Sequence, residues 1–519
     1  MLELPSKEKC GGERPTCDRC KKLNQICIWD DKGHRGKKQS QQKNKDSEDA
    51  SLIDFSLDQS LVKSDRRDAG AEKEEEELLD FNSELPSLPT SLSSPPQRSL
   101  RYISYLDDEG LKCIEYFQLK VSKLITICPD KHNYLVKTYM PLAMNNKSIQ
   151  LALAAYGSVF MNENPDNLNY KGYLKRATKV IQSSGAYFEN ITKSDFYILL
   201  CFFLIMLGTE VCSGDTHYAP IFLEQCKILI RNRGGISKVI LEFEFSNSMK
   251  WLLSNIQYHD ILSSRSALKG CELIDEYNDV FKHQKLLDTC DYGIDPFQGS
   301  IQPIYLILGG IINESVKLRH EWRQLEEMSN NLEYGVIKLK EFNENLNKIF
   351  RLRQKFFEKI ETLSLVYSEK ISRCQPNGRQ FASLLDENEI LDDHVMFFNL
   401  FRLCCRLYLN NNIRRLPPSS SEQQGLLYKA LNIIDEIIDT RLVTCMGFPL
   451  VICGMECVSK IDRVAMIYRI ERYMTKYKAK NPIWICNIIE DVWVMNPDGN
   501  LCLDWAEVVK DMNWDVFLS

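Results

Sequence analysis

The chain has 519 residues, of which 44% are hydrophobic and 10% aromatic, so it can bury a large core and is not low-complexity throughout. Its formal net charge of -6 is unlike that of a nucleic-acid binder, but residues 1–45 hold 12 Lys or Arg against 6 Asp or Glu, a local net charge of +6. A nucleic-acid surface is therefore expected only at this end of the chain.

The cysteines and apolar runs indicate the compartment. Most of the 19 cysteines stand singly inside apolar runs, where a free thiol behaves as a small hydrophobe. The stretch Met1–Lys9 has no apolar core, so no secretory signal is expected. The longest apolar run, Phe196–Leu207, is shorter than the roughly 20 residues of a membrane-spanning helix and predicts a buried core helix. The sequence thus favours a reducing compartment, cytosol or nucleus, and no membrane partner.

Four cysteines stand close together at the start of the sequence. They are separated by six, two and six residues: Cys10, Cys17, Cys20 and Cys27. Thiolates are preferred zinc ligands, and a two-residue spacing lets one turn of backbone present two sulfurs to the same ion. Basic residues surround them: Lys7, Lys9, Arg14, Arg19, Lys21 and Lys22. The pattern predicts a zinc site on a basic module over residues 1–30; the alternative is four unrelated cysteines in a disordered terminus.

The stretch from Cys10 to Cys27 resembles the second half of the fungal binuclear zinc-cluster (Zn2Cys6) DNA-binding domain, with Pro15 in place of the proline that joins the two halves. The resemblance implies zinc as the cofactor, the four cysteines as its ligands and double-stranded DNA as the partner. It also implies that Lys7 and Lys9 end a short helix that reads CGG-type sites in the major groove. The other four basic residues would neutralise phosphates: Arg14, Arg19, Lys21 and Lys22.

The first half of that motif is missing. The family pattern places its second cysteine at position 3, which is Glu3, and its first before Met1. In the family the first and fourth cysteines bridge both zinc ions, so a binuclear cluster needs ligands that this sequence does not supply. Four thiolates are enough for one tetrahedral zinc ion, and these would be Cys10, Cys17, Cys20 and Cys27. Two interpretations follow: a coding segment before Met1 supplies the missing pair, or the chain is a co-regulator without DNA binding of its own.

Residues 31–100 have the composition of a disordered linker. A basic run from Lys32 to Lys45 contains no acidic residue and is either a nuclear-import signal with phosphate contacts or solvated linker. Residues 46–98 are rich in Ser, Pro and acids, and such sequence cannot bury enough apolar surface to offset chain entropy. The acidic and apolar patches Leu52–Phe55 and Glu77–Phe81 resemble activation-domain sequence, although most such patches are only linker.

Residues 101–519 show apolar side chains at three- and four-residue intervals, with little alternation of period two. The pattern predicts an all-α fold, a large helical regulatory domain that follows the linker. A first helix is marked by Leu111, Ile114 and Ile125 and ends before Pro129. Further helices are predicted over Ile149–Met161, Tyr170–Ile181, Phe196–Val211, Ile221–Ile230, Met249–Leu262, Tyr305–Leu318, Phe342–Tyr367, Val395–Leu409, Leu426–Ile438, Val464–Tyr477 and Ile483–Val494.

This helical region resembles the fungal-specific transcription factor domain of the second type. The segments that carry the resemblance are Ile127–Pro129, Tyr139–Ala143, Leu207–Asp215, Tyr258–Leu262, Gly293–Gly299, Ile304–Leu308, Phe448–Gly454, Asp462–Arg463 and Trp514–Leu518. The resemblance implies a nuclear regulator of RNA polymerase II genes, of nitrogen or amino-acid metabolism such as γ-aminobutyrate use. It implies as partners the transcription machinery or co-regulators, a small-molecule inducer and a second copy of the chain in a homodimer.

An enzyme is not expected. His259 and Asp260 could suggest a catalytic dyad, but adjacent residues on a helix point about 100° apart and do not face each other. The glycine pairs Gly234–Gly235 and Gly309–Gly310 lack the strand, spacing and lysine of a phosphate-binding loop. The remaining alternative is a helical metabolite-binding sensor whose pocket lies between core helices.

Overall fold

The structure is a computed structural model that describes residues 105–519, apart from 162–168, 184–190, 290, 334–338, 386–387 and 513–514. Within these residues the chain is helical and contains no β-strand; isolated bridges join Ser263 to Phe517 and Asp295 to Gly299. The predicted all-α fold class is confirmed. The predicted zinc module (1–30) and linker (31–100) lie outside the described residues.

The first half of the described chain forms short and medium-length helices. These are α1 (Asp108–Tyr116), α2 (Ser122–Leu124), α3 (Tyr134–Ala143), α4 (Lys147–Met161), α5 (Asn169–Ser183), α6 (Lys193–Ser213), α7 (Ala219–Asn232), α8 (Ile236–Glu242), α9 (Asn247–Ile261), α10 (Ser264–Lys269) and α11 (Ile274–Tyr277). A π-helical segment, Phe117–Val121, joins α1 to α2, and a second one, Asn278–His283, extends α11. A short 3₁₀ segment covers Asp130–His132.

The second half contains the longest helices. These are α12 (Gln302–Glu333), α13 (Leu339–Arg373), α14 (Gly378–Ala382), α15 (Asn388–Leu409), α16 (Ser421–Ile437), α17 (Gly447–Met455), α18 (Lys460–Lys476), α19 (Pro482–Met495) and α20 (Trp505–Asp511). A π-helical segment, Asn410–Arg414, follows α15, and a 3₁₀ segment, Arg441–Cys445, precedes α17.

Helix α6 is the apolar centre of the first half. Its start is fixed by Thr192, whose hydroxyl accepts a hydrogen bond from the backbone N–H of Asp195, and its end by Gly214 at a φ of 74°. Among the described residues it is the helix long and apolar enough to span a membrane, but 89% of that window is buried within the fold. The prediction of a buried core helix at Phe196–Leu207 is confirmed.

Helices α12 and α13 form a long antiparallel pair in the second half. Near its middle, the rings of Trp322 and Phe356 pack with centroids 5.4 Å apart. About two turns further along α12, the guanidinium of Arg353 donates to the hydroxyl of Ser329 over 2.8 Å. Towards the other end, Gly310 of α12 packs against the ring of Tyr367 of α13. The start of α12 therefore lies beside the end of α13.

The sequence-predicted helices are all present, and several are longer than their apolar pattern suggested. Helix α12 continues beyond Leu318 to Glu333. This part of the helix is mostly polar because only one narrow face of it is buried, so its apolar pattern is weak. The periodicity did not predict α3, α8, α10, α11, α14, α17 or α20. Each is short, and α3 contains an internal proline, Pro141, which usually argues against a helix. Pro449 lies in the first turn of α17, where a proline is tolerated.

Candidate functional site

The residues predicted to bind zinc and DNA lie outside the described part of the chain. The zinc ligands are Cys10, Cys17, Cys20 and Cys27, and the DNA contacts are Lys7, Lys9, Arg14, Arg19, Lys21 and Lys22. The structure therefore neither brings these side chains together nor separates them. Among the described residues no group of three or more His, Cys, Asp or Glu side chains is arranged to hold a metal ion.

His259 and Asp260 have separate partners, as their adjacency on α9 predicts. The imidazole Nδ1 of His259 lies 2.7 Å from the hydroxyl of Ser519, and burial lowers the pKa of His259 to about 3, so the ring is neutral near pH 7. Asp260 instead lies 2.6 Å from the ammonium of Lys227. The two side chains are structural and form no catalytic dyad.

The segments that suggested family membership meet in the core. The backbone N–H of Ile127 donates to the carbonyl of Pro296 over 2.8 Å, and that of Leu518 donates to the carbonyl of Leu262 over 3.0 Å. The thiol of Cys445 donates to the carbonyl of Phe297 over 3.1 Å, just before α17. These three contacts therefore join parts of the helical body that are distant in sequence.

Asp295 is the centre of one of these junctions. Its Oδ2 accepts from the hydroxyls of Tyr292 and Ser254 over 2.7 and 2.8 Å, and its Oδ1 accepts from the backbone N–H groups of Phe297 and Gln298 over 2.9 and 2.8 Å. Burial raises the pKa of Asp295, and the four donors oppose that shift. With its acceptors filled by the protein, this carboxylate is a structural clamp.

A cavity of the described body lies where the α12–α13 pair meets the π-helical segment Asn278–His283. It has a volume of about 420 Å³, within the range of small-molecule sites. The start of α12, the end of α13 and the turns at residues 285–288 and 374–378 complete its walls. We call this cavity the α12–α13 pocket.

The rim of the α12–α13 pocket is basic. Four cationic side chains line it, namely Lys282, Lys285, Lys370 and Arg373, against one acidic side chain, Asp288. All four cations are exposed to solvent. Burial lowers the pKa of Lys370, the charge of Lys282 lowers it further, and the carboxylate of Glu314 opposes the shift.

The inner wall of the pocket is apolar, apart from one amide. Phe281, Leu306, Tyr367 and Cys374 are buried there. Gln302, the first residue of α12, also lines the wall and is only 2% exposed, and its Nε2 donor has no hydrogen-bond acceptor among the described residues. A buried amide without an acceptor carries an unrecovered desolvation cost, which a bound acceptor would remove.

The sequence interpretation did not find this pocket. Its basic residues come as two pairs at three-residue spacing, Lys282 with Lys285 and Lys370 with Arg373, separated by more than eighty residues of chain. Each pair alone is indistinguishable from an ordinary solvated helix end. The antiparallel pairing of α12 with α13, together with the contact of the π-helical segment Asn278–His283 with α12, brings the two pairs to one opening.

Comparison with known proteins identifies the relatives of this chain. Residues 112–519 match the profile of the fungal specific transcription factor domain. Over 98% of its length the chain is 27% identical to an uncharacterised transcriptional regulatory protein of Schizosaccharomyces pombe, covering 94% of that protein. Over the same share it is 22% identical to the transcriptional activator protein UGA3 of Saccharomyces cerevisiae, covering 95% of that protein. No solved structure matches the chain.

Proposed function

The chain belongs to the family of the fungal specific transcription factor domain, and on that premise we propose that it is a nuclear, sequence-specific regulator of RNA polymerase II genes. Transcriptional regulation, and not enzymatic catalysis, is the role of the family and of both relatives. The observation that carries the proposal is the match over residues 112–519, which covers nearly the whole described helical body. The separate partners of His259 and Asp260 agree with it.

DNA binding is assigned to the basic module that precedes the helical body. Zinc held by cysteine thiolates would fix the fold of this module, with Cys10, Cys17, Cys20 and Cys27 as ligands. Lys7 and Lys9 would read base edges of a CGG-type site, while nearby basic side chains contact phosphates. The support is the spacing of the cysteines, their basic surroundings and the transcriptional role of the relatives.

A gel-shift of the full 519-residue chain on CGG-containing DNA, with and without zinc, tests the assignment. We expect a zinc-dependent complex that Cys17→Ser abolishes, whereas Cys486→Ser, at a partly exposed thiol of α19, has no effect. If about six phosphates are contacted, about 150 mM of added salt should weaken binding by about a thousandfold. Loss of binding only in Cys486→Ser, or a salt-insensitive affinity, would contradict the proposal.

A chain that folds but fails to bind under every zinc condition would instead be a co-regulator that reaches DNA through a partner. That alternative predicts activity when the chain is tethered to an unrelated DNA-binding domain in a reporter assay. The same assay measures recruitment of the transcription machinery. Sedimentation of the purified chain tests the homodimer that zinc-cluster regulators use to bind paired half-sites.

For the target genes, we propose nitrogen or amino-acid metabolism, including γ-aminobutyrate use. The support is the resemblance of segments such as Leu207–Asp215 and Gly293–Gly299 to regulators of that type. Transcript profiles of cells with and without the gene, grown on γ-aminobutyrate as the nitrogen source, provide the test. Unchanged transcripts of amino-acid catabolism would remove this part of the proposal and leave DNA binding untouched.

A further inference from the structure

We propose that the α12–α13 pocket binds a small organic molecule with a net negative charge and an apolar stem. That this molecule is the metabolic signal of a transcription regulator rests on the proposed function; that the pocket binds such a molecule does not. The inference depends on the charge of the rim, on an amide in the wall that lacks an acceptor, and on the apolar depth of the cavity.

The rim holds positive charge that the protein neutralises only in part, since Glu314 acts on Lys370 from a distance and the Lys370 ammonium lies 4.5 Å from the ring centroid of Tyr367. No ion pair joins Lys282, Lys285 or Lys370 to an acidic side chain within the described part of the chain. Arg373 pairs with Glu369 over 2.7 Å, but both side chains are solvent-exposed and such a pair is easily exchanged. Asp288 already accepts a hydrogen bond from the backbone N–H of Arg379 over 3.0 Å. A carboxylate or phosphate at this opening would meet several cations and little competition.

The wall offers this anion a neutral donor as well. The first residues of α12, Gln302 and Pro303, line the pocket, so the positive end of the dipole of a 32-residue helix lies at the cavity. Gln302 also carries an Nε2 donor that is shielded from solvent and has no acceptor among the described residues. The helix start and the donor without an acceptor, both at Gln302, therefore favour negative charge beside this wall as well as at the rim.

The apolar side chains define the rest of the ligand. Phe281, Leu306 and Tyr367 provide buried carbon surface below the cations, which suits a short aliphatic or aromatic stem. A zwitterion such as an amino acid fits less well, because its ammonium group would be repelled by the four cations of the lining. Asp288 is the one acidic residue of the lining that could attract it. The pocket is therefore expected to distinguish a net anion from a zwitterion of the same length.

Calorimetry on the full chain with compounds of similar length tests this directly. Glutarate is the dianion, γ-aminobutyrate the zwitterion, butylamine the cation, and butyl phosphate carries a phosphate in place of a carboxylate. We expect saturable binding of glutarate or butyl phosphate, affinity for γ-aminobutyrate at least about tenfold weaker, and no binding of butylamine. The tighter of glutarate and butyl phosphate shows whether the natural anion is a carboxylate or a phosphate.

Two sets of variants locate the site. The double variant Lys282→Gln and Lys370→Gln removes two exposed charges without disturbing the core and should weaken anion binding at least about tenfold. Lys355→Gln, an exposed lysine further along α13, is the matched control and should bind like the parent chain. Gly310→Ala keeps every charge but places a Cβ 2.8 Å from the hydroxyl of Tyr367, so the tyrosine ring must shift. Because this ring is part of the pocket wall, the substitution should weaken anion binding. Gly425→Ala, with open space around it, is its control.

Several results would overturn the inference. These are the absence of saturable binding by every anion, equal binding of γ-aminobutyrate and glutarate, and anion binding that the double lysine variant leaves unchanged. The gel-shift of the same preparation is an independent measurement. A chain that binds DNA but no anion disproves only the pocket, whereas a chain that binds glutarate but no DNA disproves only the DNA-binding role.

Discussion

The ammonium of Lys227 on α7 lies 2.6 Å from Oδ1 of Asp260 on α9, and the two side chains are 10% and 0% exposed. Asp260 also accepts hydrogen bonds from Ser266, Cys271 and Tyr277 over 3.0, 3.0 and 3.2 Å. Burial by itself lowers the pKa of Lys227, but the carboxylate of Asp260 outweighs burial and raises it, so the lysine stays charged inside the fold. The pair thus ties α7 to α9 through a fully desolvated contact.

Removing one member of this pair should be far more costly than removing both. Asp260→Asn leaves a buried ammonium without a counter-charge and should lower the free energy of unfolding by about 3–5 kcal/mol. Adding Lys227→Met should recover part of that loss. Urea denaturation followed by circular dichroism measures both changes.

The exposed pair Lys123–Asp130 is the matched control, since its N–O distance is also 2.6 Å while its side chains are 51% and 54% exposed. Asp130→Asn should cost less than about 1 kcal/mol. Equal losses for Asp260→Asn and Asp130→Asn would show that burial does not decide the value of the contact.

The buried carboxyl of Glu456 should make the folded chain less stable as the pH rises. The residue is 1% exposed and its Oε2 has no hydrogen-bond partner among the described residues. Burial raises its pKa to about 8, against a weaker opposing hydrogen bond from Gln423. Because the folded pKa lies above the unfolded one, the folded state holds the proton more tightly, and this stabilisation is lost as the pH rises towards 8.

Glu456→Gln should therefore flatten the pH profile. We expect the variant to gain about 3–4 kcal/mol relative to the parent chain between pH 5 and pH 8, because the folded pKa of about 8 lies about three pKa units above that of an ordinary glutamate. Denaturation midpoints at several pH values provide the measurement. Glu358→Gln, at an exposed glutamate of α13, should leave the profile unchanged. A profile that Glu456→Gln leaves as steep as before would contradict the assignment.

The sequence predicted most of the helical body because its apolar periodicity is set by burial, which decides the fold directly. It missed α3, where Pro141 argues against a helix although tertiary packing tolerates it, and it missed α17, which is only nine residues long. It missed the α12–α13 pocket for a different reason. Lys282 and Lys370 come to one opening only through the tertiary packing of helices that are far apart in sequence. Local sequence periodicity carries no information about such contacts.

The cysteines predict two classes of thiol reactivity. Nearly all described cysteines are buried as free thiols, whereas Cys486 and Cys502 are partly exposed. Burial raises the pKa of Cys226 and Cys445 and also denies reagents access to them. Under native conditions iodoacetamide should label Cys486 and Cys502 first among the described cysteines, as mass spectrometry of tryptic peptides can show.

Metal removal extends the same experiment to the proposed zinc ligands. In zinc-loaded chain Cys10, Cys17, Cys20 and Cys27 should be protected from alkylation, since metal-bound thiolates are poor nucleophiles towards the reagent. A chelator should expose all four and leave buried thiols such as Cys226 unlabelled. If the chelator changes nothing at the four positions, they are not zinc ligands. If it exposes the buried thiols as well, the metal supports the fold of the helical body, contrary to the proposal.

Substitution of Gly157 by alanine should cause a steric clash between two helices in the first half of the body. Gly157 lies on α4 where that helix crosses α1, and a Cβ built there would lie well inside van der Waals distance of the carbonyl oxygen of Cys113. The obstacle is backbone, so the two helices must separate and lose buried contacts, which costs about 1–3 kcal/mol or more and outweighs the gain of about 1 kcal/mol for alanine within a helix. Gly157→Ala should therefore destabilise the chain.

The same substitution at Gly425 should stabilise the chain. Gly425 lies within α16, and a Cβ there would meet nothing within 4 Å. Gly425→Ala should raise the free energy of unfolding by up to about 1 kcal/mol, because alanine loses less backbone entropy than glycine in a helix. Thermal denaturation of the two variants beside the parent chain gives the signs. If both variants gained stability, α1 and α4 could not be in the close contact that places the carbonyl of Cys113 against Gly157.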